Sequence, residues 1–143
     1  MEIRRWKKED VDNIAQMEER CFSDAWSKQS LLSAFEDAFT HCFLIEEGGQ
    51  VCAYACLFVI FEQAEVQNIA VDIPFRRKGF GDKLLAFLHD FAKEKGAQTC
   101  FLEVRKSNFS AISLYEKHGY QAFGKREKYY QDGEDCILMQ KQL

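Results

Sequence analysis

The chain has a single proline, no Cys-x-x-Cys pair and no histidine cluster with metal-ligand spacing. The shortage of proline, together with the lack of repeats or low-complexity tracts, excludes a Pro-rich linker, a polyproline recognition arm or a solenoid. The longest apolar run, Val51 to Phe61, is about half of the ~20 residues that a helix needs to cross a bilayer. The start, Met1-Glu-Ile-Arg-Arg-Trp6, lacks the apolar stretch of an export signal, so the expectation is a soluble, cytoplasmic protein with no membrane contact. Nor is there a surplus of positive charge. A net charge of −4 argues against a dedicated nucleic-acid binder, while leaving room for a local basic patch. The six cysteines, 21, 42, 52, 56, 100 and 136, sit partly within apolar strands and read as buried free thiols rather than a disulfide framework.

What is present is core material. In 143 residues, 47% are hydrophobic and thirteen are Phe, enough to exclude wholesale disorder. A chain of this length buries roughly 68–70% of its unfolded surface as one domain, so residues 1–143 are expected to form a single unit.

The apolar pattern predicts a strand over 2–6, then a helix carrying Val11, Ile14, Met17 and Cys21 at three- and four-residue steps. Ser27 is placed to cap a second helix with Leu31 and Phe35 one turn apart. Cys42–Glu46 and Val51–Phe61 read as strands joined at Gly48-Gly49. In the next strand, Glu65 to Val71, the apolar alternation begun by Val66 resumes at Ile69 and Val71, a phase slip of one near Asn68. Such a slip marks a β-bulge, and bulges often sit beside active sites. A basic loop follows, then a helix whose face carries Leu84, Leu85, Leu88, Phe91 and Ala92 and which stops at Gly96. Thr99–Val104 is another strand, Asn108 caps a last helix ending at Gly119, and strands over 120–129 and 135–141 are expected to join through Asp132-Gly133. Strand–helix–strand crossovers make parallel neighbours, so the order predicts an α/β fold with a parallel pair inside a mixed sheet.

The clearest chemistry lies in Val71-Asp-Ile-Pro-Phe-Arg-Arg-Lys-Gly-Phe-Gly-Asp82. Arg76, Arg77 and Lys78 precede Gly79 and Gly81, which open a helix; glycines allow backbone N–H groups to converge on one anion at a helix N-terminus. A pyrophosphate is the natural guest. A P-loop requires Gly-Lys-Ser/Thr, and the chain has Gly-Phe-Gly-Asp. A dinucleotide fingerprint requires a small residue where Leu84 stands and a glycine close behind the strand, although Glu103 imitates its ribose-binding acid.

The spacing of Arg76, Gly79 and Gly81, after a strand ending Asn68-Ile-Ala-Val71, resembles the coenzyme A loop of the GNAT acetyltransferases. A second segment, Leu102-Glu-Val-Arg-Lys-Ser-Asn108 through Leu114-Tyr115 to Gly119-Tyr120, resembles that superfamily's other hallmark. Its wording, with Phe22-Ser-Asp-Ala-Trp-Ser27 and Tyr129-Tyr130-Gln-Asp-Gly-Glu-Asp135, is similar to the RimI-type ribosomal-protein-alanine N-acetyltransferases over nearly the whole chain. The resemblance implies a mostly antiparallel twisted sheet with a central splayed parallel pair flanked by helices. It implies acetyl-CoA as co-substrate with no metal, and direct transfer of the acetyl group to the N-terminal alanine of a bacterial small-subunit ribosomal protein.

Residue by residue, the same resemblance assigns Ile69, Ala70 and Val71 to the pantetheine arm, and Arg77, Lys78, Gly79, Phe80, Gly81 and Asp82 to the pyrophosphate. Asn108 would meet the pantetheine from the opposite side. Glu103 takes the place of the general base and Tyr115 that of the general acid, while Trp26, Tyr129 and Tyr130 would wall the peptide. Direct transfer without an acyl-cysteine is expected, on the reading that no cysteine neighbours the loop or Glu103. The chain departs from the family pattern at Pro74, one position late, at Ala25 in place of a frequent proline, and at Asp82, whose charge opposes an anion unless it points away.

Each residue has a plainer reading. Glu103 can pair with Arg105 on the same strand face, Tyr115 can be a core aromatic, and Asn108 a simple helix cap. The tyrosine pair can be strand packing, and surface positions are the default for His41, His89 and His118. Other functions also remain open: acetylation of another N-terminus, a lysine or a small amine, or a non-catalytic acyl-CoA sensor. A monomer or weak homodimer is expected.

Overall fold

The computed structural model describes residues 1–143. Its strands are β1 Glu2–Arg5, β2 Thr40–Glu47, β3 Gln50–Ile60, β4 Gln63–Val71, β5 Thr99–Arg105, β6 Gln121–Arg126 and β7 Cys136–Gln142. Helices α1 Val11–Cys21 and α2 Lys28–Glu36 follow β1, α3 Phe80–Glu94 links β4 to β5, and α4 Phe109–Lys117 follows β5. One seven-stranded sheet runs in the order β1-β2-β3-β4-β5-β7-β6. Only β4 and β5 are parallel neighbours, joined by the α3 crossover as the strand–helix–strand pattern requires. No helix is long and apolar enough to cross a membrane.

The sheet has a core on each face. Alternate residues of β3 serve opposite sides: Ala53, Ala55 and Leu57 pack with Leu84, Leu85 and Leu88 of α3. Tyr54 and Cys56 pack with Val11, Ile14 and Met17 of α1 and Leu31 of α2. This is the period-two geometry of a strand buried on both faces. Ser27 accepts from the Ser30 N–H at 3.1 Å and so starts α2 as expected. Gly48 and Gly49 both take left-handed φ, 58° and 80°, which the tight β2–β3 turn requires.

The bulge falls where the phase slip places it. Cys56 of β3 lies opposite Asn68 and Leu57 opposite Val66, which leaves Gln67 as the extra residue. Val66 therefore faces α3, and Ile69 and Val71 pack on that same side, while Ala70 joins the opposite core. Pairing of β4 with β5 runs from Gln63↔Thr99 to Val66↔Leu102 and ends at the bulge. Beyond it the two parallel strands diverge, opening a gap between Ile69–Val71 and the end of β5.

Three expectations need correction. Strand β6 ends at Arg126 rather than near 129, because Lys128 adopts φ 51° and breaks the extended run. Tyr129 and Tyr130 therefore belong to a loop, in which Asp132-Gly133 forms a local turn closed by Gly133 N–H to Tyr130 O at 2.9 Å rather than a two-residue hairpin. His89 is also not a surface residue: it is buried on the α3 core face, its Nε2 2.7 Å from Tyr120 Oη, which in turn donates to Cys100 Sγ at 3.2 Å.

Burial, with help from the nearby Lys141 and His118 charges, pushes the His89 pKa down to about 4. Between that value and the ordinary 6.5 the unfolded chain binds the extra proton, so acid favours unfolding. Stability from this group is intact above about pH 6.5 and declines as pH falls toward 4, by at most about 3 kcal/mol. Urea unfolding at pH 7 and pH 4.5 should show wild type losing more than a His89→Gln variant over that interval.

Candidate active site

Two cavities meet at the gap between β4 and β5. The larger, about 740 Å³, is bounded by Ile69–Val71, the loop from Arg76 to Asp82, and the start of α4 around Asn108 and Tyr115. The smaller, about 190 Å³, is bounded by Glu18, Trp26, Gln67, Glu103 and Tyr130. Ile69, Arg105, Asn108 and Tyr115 line both, so the junction is open from either side.

The loop of the larger cavity is shaped for an anion. Arg77 and Gly79 take left-handed φ of 64° and 84°, turning the chain sharply into α3. The first helix N–H with an intrachain partner is that of Lys83, to Gly79 O at 3.1 Å, so those of Phe80, Gly81 and Asp82 remain available. They carry the favourable end of the α3 dipole. A Cβ at Gly81 would lie 3.4 Å from Leu114 Cδ2 and 3.6 Å from Val71 Cγ2, ordinary van der Waals contact.

The Asp82 carboxylate turns away to His118 Nε2 at 3.0 Å and Lys117 Nζ at 3.1 Å, and these partners, His118 first, hold its pKa below the usual range. Its charge is thus neutralised by the end of α4, which resolves the departure seen in the sequence. Arg76 folds back, Nε donating to Val71 O at 3.0 Å. Lys78 is not on the cavity wall; its ammonium lies 5.8 Å from the Phe75 ring centroid.

The edge of β4 supplies donors. Asp72 N–H bonds Cys52 O on β3 at 2.9 Å. Since N–H direction alternates along a strand, those of Ile69 and Val71 point the other way, into the gap. Asn108 caps α4 through Oδ1, 3.2 Å from Ala111 N, and its amide nitrogen has no partner within the chain. Capping and ligand contact are therefore compatible.

Tyr115 is nearly fully buried yet reaches both cavities; burial pushes its phenol up to about 12, so it stays protonated through neutral pH. Glu103 does not pair with Arg105. Its Oε2 accepts from Arg126 Nε at 3.1 Å and its Oε1 from the Tyr129 hydroxyl at 3.4 Å, and its side chain is one-third exposed at 34%. Trp26 and Tyr130 wall the smaller cavity, whereas Tyr129 reaches it only through Glu103.

Several residues here escaped the sequence reading. Glu18 is buried, accepting from the Tyr54 hydroxyl, from Asn68 Nδ2 at 2.9 Å and from Trp26 N–H at 3.0 Å. This one carboxylate ties α1 to the bulge and to the 22–27 connection. A signal existed: Glu18 stands four residues after Ile14, on the apolar face of α1. Cys21 also corrects an expectation, since the end of α1 packs on β4 and brings its Sγ to 3.8 Å from Val71 O. Burial, only partly opposed by Arg76, raises the thiol's pKa, which keeps it a donor to that carbonyl rather than a thiolate.

Comparison with known proteins agrees with this geometry. Residues 11–120 match the acetyltransferase (GNAT) family. The ribosomal protein bS18-alanine N-acetyltransferase of Escherichia coli K12 is 35% identical over 133 residues, 91% of this chain and 89% of that protein. A Bacillus subtilis relative is 34% identical over 139 residues, covering 96% and 92%. In three dimensions, the crystal structure of the Escherichia coli ribosomal-protein-S18-alanine N-acetyltransferase superposes with a TM-score of 0.92 at 33% identity, over 99% of this chain and 92% of that one. Ard1 from Thermoplasma volcanium, at 21% identity, shares the fold with a TM-score of 0.91, covering 99% and 97%. With the bulged strand, the anion loop and the splayed parallel pair all in place, the chain belongs to the GNAT acetyltransferase family.

Proposed function

We propose that this chain is an acetyl-CoA-dependent N-α-acetyltransferase whose substrate is the N-terminal alanine of a small-subunit ribosomal protein, bS18 by the names of its relatives. The observation that carries the reading is the junction of the two cavities. An anion-ready cleft and a small carboxylate-lined pocket open onto the same strand edge at Ile69, with Tyr115 between them.

The donor set fits the co-substrate. The N–H groups of Phe80–Asp82 and the Arg77 guanidinium would hold its pyrophosphate, and the β4 edge from Ile69 to Val71 with Asn108 would hold its amide-bearing arm. Bound there, acetyl-CoA supplies an acetyl group activated as a thioester. The outward N–H groups of β4 would polarise the carbonyl oxygen, an interaction that gains strength as charge develops. Glu103 would accept the proton of the incoming amine, directly or through water, and Tyr115 would donate its proton to the departing sulfur.

Proton energetics favour an α-amine. With a pKa near 8 it costs about 1.4 kcal/mol to neutralise at pH 7, whereas a lysine near 10.4 costs about 4.6. A single, partly exposed carboxylate already paired with Arg126 suits the first deprotonation better than the second. The reaction as read is cytoplasmic and needs no metal.

Incubating the protein with acetyl-CoA and peptides that begin with alanine, alongside α-blocked peptides bearing lysine and free polyamines, should yield acetylation of the first group. Exclusive modification of lysine or polyamine would refute the N-terminal assignment. The loop makes its own prediction. Gly79→Ala meets no neighbour within 4 Å, so its cost is the left-handed backbone alone, about 1 kcal/mol. The distorted loop should raise KM for acetyl-CoA with little change in KM for peptide, read from steady-state kinetics and a urea curve.

A further inference from the structure

Arg105, at the end of β5, holds both walls of the smaller cavity at once. Its Nη2 lies 2.9 Å from Asp24 Oδ2 in the 22–27 connection, and its Nη1 lies 2.9 Å from Asp132 Oδ2 in the 127–135 loop. The guanidinium also stands 4.1 Å from the Tyr130 ring centroid, while Glu134, 3.7 Å from Nη1, is itself fixed by the Ser107 hydroxyl at 2.8 Å. Only 20% of the Arg105 side chain is exposed. Single exposed ion pairs contribute little, but a planar fork shared by several carboxylates and stacked on an aromatic ring has its geometry fixed on every side.

The two loops it joins are far apart in sequence and share no strand pairing. They carry Trp26 and Tyr130, the aromatic walls beside Glu103. The half-open cavity between them is about 190 Å³, below the roughly 300–1,000 Å³ of pockets for drug-sized ligands. From this we propose that the Arg105 clasp sets first-residue specificity: by drawing the Asp24 and Tyr130 segments together it limits the pocket to a small side chain such as alanine. The inference rests on the N-terminal acetyltransferase reading above and adds its size filter. Arg105 acts through the walls it positions, not on the reacting atoms.

The test compares kcat/KM for two peptides that differ only in the first residue, alanine or leucine. In wild type the alanine peptide should be strongly preferred. Arg105→Met should lower that preference roughly tenfold, the scale on which a hydrophobic pocket discriminates by size. Arg105→Lys keeps the charge but loses the fork, so it should restore only part of the preference. Asp24→Ala removes one half of the clasp from a part-exposed loop position, so it tests the same point even where an Arg105 variant folds poorly. It should also widen the preference toward leucine.

An Asp24→Ala or folded Arg105→Met enzyme that acetylates the alanine peptide with an unchanged alanine-to-leucine ratio overturns the clasp while sparing the parent reading. Wild type that acetylates no peptide N-terminus overturns both.

Discussion

Replacing Glu103 with Gln should lower kcat/KM for an alanine-starting peptide by roughly 10²–10⁴-fold, the usual contribution of a positioned general base. Binding of acetyl-CoA should change little, because Glu103 lines the smaller cavity and not the coenzyme cleft. The pH dependence carries the sharper signature. Without the carboxylate, only amine that is already neutral can react, and that fraction grows up to the α-amine pKa near 8. The deficit relative to wild type should therefore shrink between pH 7 and pH 9. A variant that retains full activity at pH 7, or a deficit that does not vary with pH, would remove Glu103 from the role of base.

Tyr115→Phe should lower kcat about 10²-fold or more with little change in either KM, since a leaving thiolate then departs without a proton. The phenol suits a proton donor, because burial pushes it up to about 12 and the donor form is fully populated at neutral pH. Burial alone accounts for that shift, and no hydrogen bond within the chain engages the hydroxyl. Removing the hydroxyl should consequently leave the urea midpoint nearly unchanged. Tyr120→Phe provides the contrast, because it severs the contacts to His89 and Cys100 in the core and should reduce stability while sparing kcat. Equal losses of stability in the two variants would mean that Tyr115 is a packing residue.

Local signals made much of this site legible before any coordinates. The phase slip at Asn68 located the bulge, because one extra residue must reverse the faces of a strand. Gly79, Gly81 and the preceding cations marked the anion loop, since left-handed backbone and convergent N–H groups require glycine nearby. Asn108 was legible as a cap from its place before an apolar helix.

The electrostatic fabric was not legible, because it is assembled by tertiary contact. Arg105 is two residues from Glu103, yet the β6–β7 loop captures it with Asp132 while Arg126 of β6 takes Glu103. Cys21 reaches Val71 only because α1 crosses the sheet above β4. The 127–135 loop was misread because Asp-Gly signals a tight turn without saying how far the flanking strands extend, and Lys128 at positive φ ends β6 early.

The scarcity of strong net charge also has a structural explanation. The chain carries −4 overall, but its charges are unevenly placed: Arg76 and Arg77 line only the larger cleft and Glu18 and Glu103 only the smaller cavity, while Asp24 and Arg105, which line both, pair with each other. One end of the gap thus suits a pyrophosphate and the other a cationic amine.

The most direct test of the account is to supply the protein with acetyl-CoA and a ribosomal protein pool bearing unblocked N-termini, then locate every new acetyl group by tandem mass spectrometry. The predicted result is an acetyl group on the α-amine of an alanine-starting small-subunit protein, lost with Glu103→Gln. Acetyl groups confined to lysine side chains, or an N-terminal product that persists undiminished in that variant, would contradict it.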